Sequence, residues 1–198
     1  MIVGDPDTFA IESGITKAFE RLSFRALGFF VIHVGGRRYG VHEPDATMLA
    51  LALDDADRRL AFRGKHNAPF ASVPDASKIA HAFRNACYAE EQEDSFFDID
   101  VQEFRGLIHS NHLDDWSPNA IDEAFDDGSY ILQFDVGDRV RLVAYKSKGW
   151  SYDPETLKDI WVPADDFYSI LHRWRKAFET EWAMLPKIGL SEDGAECG

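Results

Sequence analysis

The chain has 198 residues, one domain's worth at roughly 150 residues per domain, and can bury about 70% of its unfolded surface without staples. It is 45% hydrophobic and 13% aromatic, which excludes a disordered or low-complexity chain. Its formal net charge of −14 argues against DNA, RNA or an anionic membrane as the main partner.

Thr8 to Ile15 alternates loosely after the turn former Asp5-Pro6-Asp7 and reads as a first strand. Ala26 to Val34 is rich in β-branched and aromatic residues, Gly35-Gly36 permits a tight turn, and Arg37 to Val41 returns as a hairpin. Thr47 to Leu53 is compatible with strand or helix; it is taken as a strand, followed by a helix from an Asp54 cap to Arg63, closed by Gly64. Asp75 caps a further helix in which Ile79, Ala82, Phe83 and Ala86 fall at helical spacing. Cys87 lies in that pattern and reads as a packed, inert thiol; with Cys197 it makes neither a disulfide framework nor a zinc spacing. A short helix, Val101 to His109, follows, with Asp98 or Asp100 as its cap.

Ser129 to Asp135 and Arg139 to Lys146 form a second hairpin around Val136-Gly137-Asp138. Tyr130, Leu132 and Phe134 are expected to share a buried face with Val140, Leu142 and Ala144, and Gln133, Asp135, Arg139 and Arg141 to face water. Leu157 to Val162 is another strand. Ala164 to Leu185 is a long helix with an apolar stripe through Phe167, Leu171, Trp174 and Phe178. The expected fold is α+β: an antiparallel sheet built from hairpins and covered by several helices, the long C-terminal one included. Residues 1–186 form the single domain, and 187–198 a loosely held tail. The start lacks the basic and apolar regions of a signal peptide, and no apolar run approaches the ~20 residues of a membrane span, so a cytoplasmic protein is expected.

The charge has an address. Residues 1–89 carry a net of +1 and residues 128–198 a net of −3, whereas the 38 residues from Glu90 to Asp127 carry −12, with Arg105 as their one base. Disordered acidic tails are poor in aromatics, yet this segment holds Phe96, Phe97, Phe104, Trp116 and Phe125. Anchoring aromatics within an acidic rim are the pattern of a protein-binding patch. Phe96, Phe97, Trp116 and Phe125 are the candidate anchors. Glu90, Glu91, Glu93 and Asp94 on one side, and Asp114, Asp115, Asp122, Glu123, Asp126 and Asp127 on the other, form the candidate rim.

Catalytic readings are weaker. His109 and His112 with nearby carboxylates could ligate a divalent metal for a hydrolase, but their spacing matches no established site. Asp98-Ile99-Asp100 is more simply a helix cap than a metal-holding pair. There is no phosphate-cradling glycine loop and no nucleophile elbow, and His33 in an apolar strand reads as a structural histidine with one satisfied nitrogen. The expectation is a non-enzyme with no catalytic residues, no metal and no cofactor.

Gly4-Asp5-Pro6 with Phe9-Ala10-Ile11-Glu12 resembles the start of the immunity protein 42 family. So do the run Ala26 to Val41, the stretch Asp126 to Phe134, the helix start Pro163-Ala164-Asp165-Asp166-Phe167-Tyr168, and Trp174, over about Met1 to Pro186. The resemblance implies a bacterial polymorphic toxin system, in which a small cytoplasmic protein neutralises a cognate toxin domain. Many such toxins are nucleases with basic surfaces, which an acidic patch would suit. The resemblance names no contact residues and sets no oligomeric state. The competing readings are the metal-dependent hydrolase and a non-enzymatic acidic adaptor.

Overall fold

The computed structural model describes residues 1–23, 25–90, 93–111, 116 and 123–189. Its first sheet runs β1 (Ile2–Gly4), β2 (Phe9–Phe19), β3 (Ala26–Val34) and β4 (Arg37–Tyr39), in that order and antiparallel. Gly35 and Gly36 link β3 to β4 with φ of 56° and 77°, the left-handed pair of a type I′ hairpin turn. The short β5 (Thr47–Met48) adds to β3.

Where a strand was expected from Thr47 to Leu53, the chain turns helical at once: α1 spans Leu49–Ala61, and Asp54 lies inside it rather than capping it. The leucines and alanines of 49–53 include no β-branched residue and favour helix. Leu49, Ala52 and Leu53, with Ala56 further along, face the core at helical spacing. Asp75 caps α2 (Ala76–Tyr88) as expected, its carboxylate accepting from Ser77 N at 3.0 Å. A small hairpin, β6 (Ser95–Phe96) and β7 (Ile99–Asp100), leads into α3 (Val101–Ser110), which Asp100 caps.

The second sheet is antiparallel, with β9 (Arg139–Lys148) between β8 (Ser129–Val136) and β10 (Ser151–Pro163). Then come α4 (Ala164–Met184) and β11 (Lys187–Ile188), which lies parallel to β2. The expected antiparallel hairpins, covering helices and long C-terminal helix are present, with the strands divided between two main sheets rather than gathered in one.

The second sheet departs from expectation in one instructive way. The loop between β8 and β9 has two residues, Gly137 and Asp138, because Val136 pairs with Arg139. A three-residue loop would put Leu132 beside Leu142; the observed register puts it beside Val143, with Phe134 opposite Arg141 and Tyr130 opposite Tyr145. A one-residue slip exchanges faces, so neither face is wet. Ile131, Gln133, Val140, Leu142 and Ala144 face a core shared with the first sheet, α1 and α4. Leu132, Phe134, Val143 and Tyr145 face a second core beneath α2 and α3.

The polar residues of this sheet are buried because they are paired. Gln133 accepts from Arg59 Nη1 at 3.1 Å and donates to the Tyr168 hydroxyl at 2.9 Å, and that hydroxyl donates to Asp135 at 2.8 Å. Arg141 grips Asp159 with two 2.8 Å bonds and donates to the carbonyls of Ala71 and Val73. It thereby pins the loop before α2 onto the sheet. No described helix is long and apolar enough to cross a membrane.

Candidate functional site

The acidic segment is threaded through the fold rather than appended to it. Residues from Glu93 onward double back along α2: Glu93 N donates to Asn85 Oδ1 at 2.8 Å, and Glu93 Oε1 lies 2.6 Å from His81 Nε2. The β6–β7 loop then places Phe97 (φ 55°) and Asp98 (φ 61°) in the left-handed region, where non-glycine residues are strained. Phe97 is held there by stacking on Phe70 with centroids 5.1 Å apart. Between this turn, α2 and β10 lies a groove of about 570 Å³ lined by Lys78, His81, Glu93, Phe97, Asp98 and Tyr152, among others.

The segment's far end lies on the other side of the second sheet. Glu123 and Asp126 are exposed on the short helical turn before β8. Asp127 is half-buried and structural: it accepts from Ser129 N and Gly40 N and pairs with Lys146 at 2.5 Å. Gly128 O accepts from Ser147 N at 2.7 Å, which ties this turn to the end of β9.

The expected anchors divide in two. Trp116 is 1% exposed, and Arg59 sits 4.2 Å over its ring, among Phe9, Phe30 and Phe167. Phe125 and Phe96 are likewise buried, in the first and second cores. These three rings hold the acidic segment to the protein. Phe97 stays half-exposed on the groove. Glu90, Glu93 and Asp94 join Glu123 and Asp126 as exposed acids. Glu91, Asp114, Asp115, Asp122 and His112 lie outside the described residues. His109 is exposed at the end of α3, and among the described residues no three His, Cys, Asp or Glu side chains gather as a metal site.

The profile of the immunity protein 42 family matches residues 1–177. The chain belongs to the immunity protein 42 family. The fold agrees: this immunity-family chain superimposes on the crystal structure of CdiI from Burkholderia dolosa AUO158 with a TM-score of 0.55, over 89% of this chain and 99% of that one, at 15% identity. No curated protein matches it in sequence.

Among the exposed aromatics of this immunity-family protein, two near one another were missed in its sequence. Trp150 is 66% exposed at the tip of the β9–β10 hairpin, and Tyr88 is 41% exposed in the last turn of α2. That turn also carries Cys87 to the surface, contrary to the packed thiol expected, because it runs past the residues that cover the helix's inner face. Arg84 links the last turn of α2 to the hairpin tip. Its guanidinium lies 4.5 Å over Tyr88 and 4.8 Å over Tyr130, and Nη2 donates to Gly149 O at 3.2 Å. The available sequence signal was Lys148-Gly149-Trp150-Ser151, a tryptophan beside a turn glycine where a polar residue is usual. His33 does behave as read: its Nε2 meets Glu12 Oε2 at 2.8 Å, and His42 meets the other carboxylate oxygen at 3.1 Å.

Proposed function

We propose that the protein neutralises a cognate bacterial toxin domain by binding it, without catalysis, through the acidic surface around the second sheet. Membership of the immunity protein 42 family carries the reading. The surface chemistry supports its finer part. Exposed acids flank the β9–β10 hairpin on two sides: Glu90, Glu93, Asp94 and Asp98 near α2, and Glu123 and Asp126 beside β8.

Such a surface suits a basic partner, and a nuclease's substrate-binding face is one. Acids presented there compete with nucleic acid by imitating its charge, and they accelerate encounter by 10- to 1000-fold at low salt, on the order seen for steered pairs. Nuclease–immunity pairs are among the tightest complexes known. Of the residues expected at the interface, Phe97, Glu123 and Asp126 are presented for contact, with Asp114, Asp115 and Asp122 proposed alongside them. Phe96, Trp116, Phe125 and Asp127 serve by fixing the surface.

The test is neutralisation. Cells producing the toxin domain encoded beside this chain should grow only when this chain is co-produced, and the purified pair should elute together. Growth arrest that this chain does not relieve, with no co-elution, contradicts the reading.

A further inference from the structure

We propose that the tip of the β9–β10 hairpin is the anchor of the interface, with Trp150 as the side chain that enters a notch on a basic partner surface. This rests on the immunity reading and names where it acts.

The first observation is exposure. An indole 66% exposed on a two-residue loop contributes little to the fold, yet tryptophan and tyrosine are the residues on which interfaces most often depend. Tyr88 stands nearby, 41% exposed. The second observation is that the tip is held in place. Gly149 takes a φ of 60°, which a two-residue hairpin loop asks of its first position, and its carbonyl accepts from Arg84.

Arg84 is only 5% exposed, and among the described residues its guanidinium meets no carboxylate; it spends its charge on two aromatic rings and one loop carbonyl. Removing a guanidinium from water is costly, and fixing a solvated tip returns little to folding. It does return affinity, because a side chain ordered before binding has less freedom to lose on binding.

The third observation is charge. Tyr152, two residues beyond Trp150, lines the same groove as Glu93 and Asp98, and Ser147, at the other arm, bonds the turn that follows Asp126. The tip therefore stands between the two acidic stretches. Lys148 is its one exposed base, since Lys146 is paired with Asp127. The complementary surface is an apolar notch rimmed by lysine or arginine. A second copy of this chain would bring like charge against like and is disfavoured.

The experiment uses the full chain and the purified toxin domain encoded beside it, titrated by calorimetry. Trp150→Ala should weaken binding by about 30-fold or more with its melting temperature unchanged, and Trp150→Phe should recover part of the loss. In the wild-type protein, the Trp150 indole N–H resonance should shift on adding toxin, a readout that needs no variant. Trp150→Ala binding within about twofold of wild type, or an unmoved resonance, overturns the proposal while leaving the immunity reading intact. Wild type that does not bind the toxin sinks both. Self-association abolished by Trp150→Ala would assign the tip to a dimer and overturn the proposal too.

Discussion

Arg141 shows how a charged residue on a strand can read as solvated and yet be buried. It is 1% exposed, and all three guanidinium nitrogens donate hydrogen bonds, to a carboxylate from the neighbouring strand and to two carbonyls from the loop before α2. Glu12 holds a different kind of pairing, between two imidazoles on the first sheet. Burial raises its carboxyl pKa, but the hydrogen bonds with His33 and His42, and their Coulombic attraction, outweigh it and hold the group below the usual carboxylate range. A group with a lowered folded-state pKa stabilises the fold above its unfolded value, and that contribution is lost as pH falls through the folded value. Glu12→Gln is therefore expected to be less stable than wild type at neutral pH and to converge with it in acid. Urea denaturation at a series of pH values checks this. A difference that persists undiminished down to pH ~3 would count against the pairing.

At the scale of elements, the β6–β7 hairpin sets strain against position. Its loop puts Phe97 and Asp98 both at positive φ, where glycine or asparagine would sit more easily. Asp98→Gly removes about 1–2 kcal/mol of left-handed strain against roughly 0.5–1 kcal/mol of added backbone entropy. A change in unfolding free energy between zero and a gain of about 1.5 kcal/mol is expected by difference, and a loss would show that the turn is not strained. The variant should also bind the toxin more slowly, because it removes one of the acids at the groove.

The β3–β4 and β8–β9 hairpins were legible in sequence because alternation and turn glycines are local signals, and so was the cap at Asp75, with Asp100 one of two candidates for the next; the β6–β7 and β9–β10 hairpins were not read. The start of α1 was not, since Leu49 to Leu53 is apolar throughout and lets periodicity choose neither state. The two-sided burial of the second sheet was not legible either. It depends on a loop of two residues rather than three, and on partners for Gln133 and Arg141 that come from α1, α4 and the loop before α2.

Across the whole molecule, the acidic block was legible as charge but not as shape. Its aromatics looked like one patch along the chain, whereas the fold draws Trp116 and Phe125 into one core and Phe96 into another. Among the described residues, what remains on the surface is two acidic stretches on either side of a hairpin tip whose tryptophan lies outside the block. The chain thus places its scaffold in both halves and its proposed working face around the second sheet. The most direct test of that face is the association rate with the toxin domain, measured by stopped flow across a range of ionic strength. The rate for wild type should fall steeply with salt. A variant carrying Asp94→Lys, Asp98→Lys, Glu123→Lys and Asp126→Lys should associate at least about tenfold more slowly at low salt, with a flattened salt dependence. Equal rates and equal salt dependence for the two proteins would contradict an acidic face that captures a basic toxin.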